Sequence, residues 1–125
     1  MLTEAALICL VLNVEHETKG ESMLGQYAVV HVTRNRAKYN PDNVCKEVFK
    51  PYQFSWTIKM PGDTASDFPK YAHIAKMAWD SPADITIGAT HYHVRPGCPG
   101  GVRPYWIAKM KKTVTIGCHN FYRSK

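Results

Sequence analysis

The chain has 125 residues, of which 45% are hydrophobic, and 16 Lys and Arg against 10 Asp and Glu give a net charge of +6. This length suits one domain around one core, and the apolar share excludes a disordered chain. The basic balance favours polyanionic surroundings: nucleic acid, anionic membranes or bacterial wall polymers.

In chain order, "MLTEAALICLVLNVEHE" carries an apolar run over residues 5–14. It predicts a buried helix from residue 3 to about 18, with Thr3 as N-cap and Glu4 at the positive end of the helix dipole. The run is too short to span a membrane and lacks the basic start and small-residue cleavage site of a signal peptide. The chain is therefore expected to show no secretion or anchoring device and no membrane partner. Gly20 stops this helix, and a second follows from about Met23 to Ala37 with Leu24, Ala28 and Val32 on its core stripe. The short turn 19–22 forces the two helices to pack together. Within residues 39–66, which contain Pro41, Pro51, Pro61 and Gly62, a helical turn is expected at Asp42 to Phe49.

A third helix is predicted from Pro69 to Asp80, with Phe68, Tyr71, Ala72, Ala75, Ala78 and Trp79 as its core stripe and Ser81-Pro82 as its end. "ITIGATHYHV" at 85–94 and "TVTIGCHNFY" at 113–122 read as two strands forming a small antiparallel hairpin, with "YWIAKMKK" between them as a helical turn. The expected fold class is α+β: one mostly helical domain over residues 1–125 with a small antiparallel β-hairpin. Cys9 reads as a buried small hydrophobe, and one disulfide among Cys45, Cys98 and Cys118 is left open.

Three groups of residues have the chemistry of a site. The first is Glu15, Glu17 and Glu21, crowded around Gly20. Glu17 sits at the negative end of a helix dipole, an unfavourable place for a carboxylate. A carboxyl group at the end of a buried helix has the surroundings that keep a proton near neutral pH, as an acid that cleaves glycosides requires. The second is His91, Tyr92, His93, Tyr105, Trp106, His119 and Tyr122. Their rings suit sugar faces or single-stranded nucleic acid. His91 and His93 share a strand face and with His119 or Cys98 offer zinc-binding chemistry, but no spacing matches a zinc signature. The third is "QFSW", Gln53 to Trp56, a loop whose side chains suit either a cleft wall or a tucked turn.

The ordered set of short blocks resembles the cell wall hydrolases related to spore cortex-lytic enzymes. The blocks are Glu17-Thr18-Lys19-Gly20-Glu21, Gly25-Gln26, Asn35-Arg36, Tyr39-Asn40-Pro41, Gln53-Phe54-Ser55-Trp56, Gly88-Ala89-Thr90-His91-Tyr92-His93, Pro104-Tyr105-Trp106 and Ile116-Gly117-Cys118-His119-Asn120-Phe121-Tyr122. Thr18 and Lys19 stand where the family prefers Ala and Arg. The resemblance implies a lysozyme-like fold and cleavage of peptidoglycan between N-acetylmuramic acid and N-acetylglucosamine, usually as a lytic transglycosylase. It implies Glu17 as the catalytic acid, Glu21 in a supporting role, and Ser55, Trp56, His91, Tyr92 and Tyr105 near the sugar chain. A bare catalytic domain of this length resembles a phage endolysin, made in the host cytoplasm and acting on the wall. The expectation is a monomer with peptidoglycan glycan strands as partner, no nucleic acid, no cofactor and no metal. Rival readings are a hydrolytic muramidase using the same Glu17, a basic nucleic-acid-binding module, and a zinc enzyme using His91, His93 and His119.

Overall fold

The computed structural model describes residues 1–18, 20–50 and 67–125. Helix α1 spans Glu4–Thr18, α2 Met23–Arg36, α3 Val44–Val48 and α4 Phe68–Asp80; strands β1 His91–Val94, β2 Met110–Ile116 and β3 His119–Ser124 form a sheet in the order β1-β3-β2. Both sheet pairings are antiparallel.

The helix ends follow local chemistry. The Thr3 hydroxyl accepts from the Ala6 N–H at 3.0 Å, and Ser22 accepts from the Gly25 N–H at 3.3 Å. Gly20 takes the left-handed backbone, φ 85°, that turns the chain from α1 into α2. Leu10, Val11 and Val14 of α1, Val30 of α2, Val44 and Val48 of α3, and Tyr71, Ala75 and Ala78 of α4 make the main core. Two predicted stripe residues lie outside it: Leu24 and Phe68 are exposed. Each belongs to the first turn of its helix, where the core has not yet closed over the stripe.

Cys9 is buried as expected but is no free thiol. It bonds to Cys45, joining α1 to α3, and Cys98 bonds to Cys118. The apolar run around Cys9 hid a partner brought in by the fold.

The strand expectations are corrected in detail. Within residues 85–94 only His91–Val94 is strand. The Asp84 carboxylate accepts from the N–H groups of Thr86 and Gly88, and Ile87 and Gly88 both have positive φ. This side-chain-capped turn replaces the first half of the expected strand. The segment 113–122 is not one strand. It folds at Gly117-Cys118 into the β2–β3 hairpin, with Ile116 paired to His119 and Gly117 at φ 59°. A glycine with positive φ at the first position of a two-residue turn matches the twist of a hairpin. The expected pairing of the two regions holds, as His91 to Tyr122 through Val94 to His119.

Arg34 fastens the end of α4. Its Nη1 donates to the carbonyls of Ala78 (3.4 Å), Trp79 (2.8 Å) and Ser81 (2.7 Å) from a fully buried position. A cation there satisfies acceptors that the helix leaves open. His31, also buried, sits between Ala78 O (2.8 Å to Nε2) and the Ile85 N–H (3.2 Å to Nδ1). An acceptor on one side and a donor on the other fix a neutral tautomer, and burial lowers its pKa. The 3.8 Å approach of Nδ1 to Asp84 is therefore not an ion pair. Among the described residues no helix is long and apolar enough to cross a membrane.

Candidate functional site

Glu17 lies in the last turn of α1. The Thr18 hydroxyl donates back to Val14 O at 2.6 Å, and the Glu21 N–H donates to Thr18 O at 2.9 Å, so the helix end and the following turn are closed together. The Glu17 side chain reaches the sheet, where the Tyr92 hydroxyl donates to its Oε1 at 2.6 Å. The bond is short for a hydroxyl donor and directs Oε1 toward the sheet. Burial raises the Glu17 pKa from its ordinary value. The Tyr92 hydrogen bond and the nearby His16 charge pull it back less strongly. The Tyr92 hydroxyl is pushed far above the usual tyrosine value by burial and then by the Glu17 charge, so it stays protonated and remains the donor.

The position of Tyr92 is over-determined. Asn35 Nδ2 donates to Asp84 Oδ2 (2.8 Å) and Ala89 O (2.9 Å), and Arg36 Nη1 donates to Thr90 O (3.2 Å). The Asn-Arg pair at the end of α2 thus fixes the start of β1. Tyr92 then packs on Phe121, 5.6 Å between ring centroids, and meets the His119 ring edge-on at 5.4 Å. The buried His119 places Nδ1 3.2 Å from Glu21 Oε2, an ion pair whenever the imidazole carries its second proton. Glu21 is held in turn by its backbone: its carbonyl accepts from Gln26 Nε2 at 3.3 Å. A chain of contacts therefore runs Glu17, Tyr92, His119, Glu21, joining both sides of the α1–α2 turn through the sheet.

Strand alternation sends the neighbours of Tyr92 to the other face. There Trp106 contacts His91 at 5.4 Å, His93 at 5.8 Å and Tyr122 at 5.4 Å, and His93 stacks on Tyr122 at 5.3 Å. His93 Nε2 also bonds the Tyr122 hydroxyl at 3.0 Å. Burial and the charge of Arg36 lower the His91 pKa. His119 lies on the Tyr92 face, so the sheet separates it from His91 and His93, and the three-histidine zinc set is not assembled. Among the described residues no group of three His, Cys, Asp or Glu could hold a metal ion.

Of the residues proposed from sequence, the structure brings together Glu17, Tyr92 and, through His119, Glu21. His91 lies across the sheet from them. Tyr105 is 94% exposed, in the turn before β2. Ser55 and Trp56 lie outside the described residues.

A cell wall hydrolase family model matches residues 20–122. The chain belongs to the cell wall hydrolase family. Membership makes it an enzyme that degrades peptidoglycan. Its fold matches the catalytic domain of the Bacillus cereus SleB protein with a TM-score of 0.77 at 24% identity, covering 98% of this chain and 93% of that one. It also matches the catalytic domain of the germination-specific lytic transglycosylase SleB from Bacillus anthracis, with a TM-score of 0.74 at 24% identity over 97% and 96% of the two chains. No individual curated protein matches by sequence.

Two roles escaped sequence reasoning. Tyr92 was expected near the sugar chain, and its hydrogen bond to Glu17 was not foreseen. His119 does join a ring cluster, with Tyr92 and Phe121, but its approach to Glu21 was not foreseen. The alternation signal was present: His91 and His93 on one face leave Tyr92 on the other. The register that adds His119 to that second face depends on the Gly117-Cys118 turn.

Proposed function

We propose that this cell wall hydrolase cleaves the β-1,4 bond between N-acetylmuramic acid and N-acetylglucosamine as a lytic transglycosylase, with Glu17 as its general acid and base. The observation that carries the reading is the half-buried Glu17 carboxyl, its pKa raised by desolvation, with Oε1 held by the Tyr92 hydroxyl at 2.6 Å. Since Oε1 accepts from tyrosine, the acidic proton belongs on Oε2, the oxygen free to face the glycan.

The steps balance on one carboxyl group. Glu17 Oε2–H gives its proton to the glycosidic oxygen as the C1–O bond breaks, releasing the N-acetylglucosamine hydroxyl. Positive charge develops at the muramoyl C1 and ring oxygen. The new carboxylate, stabilised by Tyr92, then takes the proton of the muramoyl C6 hydroxyl. O6 bonds to C1 and closes a 1,6-anhydro ring, and Glu17 is again protonated. The neighbouring carboxylate, Glu21, is directed at His119. That favours a reaction needing no second carboxylate over one in which a separate base activates water. The Bacillus anthracis neighbour, a germination-specific lytic transglycosylase, supports the same choice. Two disulfides fit action outside the reducing cytosol, at the wall itself.

Digestion of purified peptidoglycan with mass analysis of the products tests this. Transglycosylation yields fragments ending in anhydromuramic acid, one water lighter than hydrolytic fragments. Reducing-end products of full mass from the first time point would make the enzyme a muramidase using the same Glu17.

A further inference from the structure

All ten acidic residues lie at or before Asp84, whereas seven of the sixteen basic residues follow it. The net charge of the chain therefore resides in its C-terminal third, which forms the sheet. Within that third the cations gather at one end. Lys111 of edge strand β2 stands directly opposite Arg123 of central strand β3 on one face, Lys112, next along β2 and opposite Tyr122, is on the other face of the same end, and Lys109 and Lys125 flank that end. Strand spacing of about 4.8 Å and a rise of about 3.3 Å per residue place these five backbone positions within roughly 10–15 Å, around one rim of the sheet. None of the five forms an ion pair with a described residue. The nearest acid in sequence, Asp84, is occupied by Asn35, Thr86 and Gly88.

Lysines on an edge strand have an ordinary use in preventing sheet-to-sheet association. That use explains Lys111 and Lys112. It does not explain Arg123, which is on the central strand. Like charges directly opposed across two strands destabilise the pair. Arg123 also lies against the 84–90 turn: a Cβ at Gly88 would sit 3.8 Å from its Cδ. Its guanidinium is thus held against that turn, with Nη1 3.9 Å from the same point.

We propose that this end of the sheet binds the phosphodiester polymers that bacterial walls carry alongside peptidoglycan. The proposal rests on the wall being this enzyme's place of action, as its family membership implies. Cations without an ion-pair partner among the described residues, repeated at short intervals, complement a chain of singly charged phosphates, and a guanidinium adds paired donors for phosphate oxygens. Nucleic acid has the same phosphates. Single-strand binders, however, present rows of rings for bases to stack on, and here Tyr105 is exposed near the patch whereas Trp106 and Tyr122 are packed against each other and His93. The patch is about 13 Å along β3 from His119, so a bound polymer and a glycan at Glu17 do not compete for the same groups.

The test is co-sedimentation with purified walls, before and after hydrofluoric acid removes their phosphodiester polymers, with synthetic poly(glycerol phosphate) and duplex DNA as soluble competitors. Wild-type enzyme is expected to bind intact walls at least about 10-fold more tightly than stripped ones, with affinity falling as salt rises. A Lys111→Gln, Lys112→Gln, Arg123→Gln variant should lose that preference, and its log-affinity against log-salt slope should shallow by about 2. The variant should still cleave soluble peptidoglycan fragments at the wild-type rate, so failure of cleavage reads separately from failure of binding. Arg123→Gln alone, expected to lose part of the preference, serves as a second variant if the triple one does not fold. Equal binding to intact and stripped walls, or unchanged binding by the variants, overturns the proposal. Stronger competition by DNA than by poly(glycerol phosphate) at equal phosphate overturns it in favour of nucleic acid.

Discussion

Replacing Tyr92 by Phe removes one hydroxyl and leaves the ring on Phe121 and His119. Two opposing influences set Glu17: burial raises its pKa, and the Tyr92 hydrogen bond lowers it. Only the second is lost in Tyr92→Phe. A hydrogen bond to a charged group contributes about 1.5–3 kcal/mol, and about 1.36 kcal/mol corresponds to one pH unit. Glu17 must be protonated to start the reaction, so kcat/KM falls on the alkaline side as the free enzyme's Glu17 ionises. The variant's alkaline limb should therefore move up by about 1–2 pH units. Its maximal rate should fall about 10–100-fold, because the carboxylate formed in the transition state loses its donor. Initial rates on soluble glycan fragments across pH, for wild type and variant, measure both effects. An alkaline limb that stays in place or moves down would refute the assignment of Tyr92 as a donor to Glu17.

Other outcomes follow from the same contacts. Glu21→Gln should reduce activity less than loss of Glu17, and His119→Gln should give the same phenotype, with the double variant no worse than either single one; a kinetic double-mutant cycle reads this coupling. Reduction of Cys9–Cys45 and Cys98–Cys118, which close loops of sequence separation 36 and 20, should destabilise the fold by about 3–4 kcal/mol per bond, measured by urea unfolding with and without reductant. Arg34→Met should leave the Trp79 and Ser81 carbonyls at the end of α4 without their side-chain donor, while Ala78 O keeps His31, and should cost at least about 2 kcal/mol, seen as a lower Tm by thermal melt.

The helices were legible because their signals are local. Thr3 and Ser22 cap, Gly20 turns, and the apolar stripe of α4 repeats at helical spacing. The sheet was half legible. His91–Val94 alternates clearly, but residues 85–90 are apolar enough to read as strand, and only the Asp84 side chain in place reveals a turn. "TVTIGCHNFY" is β-rich from end to end, and a single glycine decides where it folds. Glu17 was marked by its awkward position at a helix C-terminus. Its partner Tyr92 is 75 residues away, and no local pattern links them. The cysteine pairings were illegible for the same reason, since each depends on two elements meeting.

The central claim is that the half-buried carboxyl of Glu17 carries the proton, and Glu17→Gln tests it most directly. Gln keeps the shape and still accepts from Tyr92, but has no acidic proton to give. Clearing of wall suspensions should fall by at least about 10²-fold, the lower end of what general acid–base catalysis contributes. Stability should move the other way. With the folded pKa of Glu17 raised above its unfolded value, the native state favours the protonated form. That stabilisation is complete below the unfolded pKa and is lost as pH rises through the folded one. The neutral Gln does not suffer this loss, so the variant should melt no lower than wild type at about pH 7, and its relative advantage should shrink as the pH is brought below about 4. A folded Glu17→Gln enzyme that clears walls at near the wild-type rate would contradict the account.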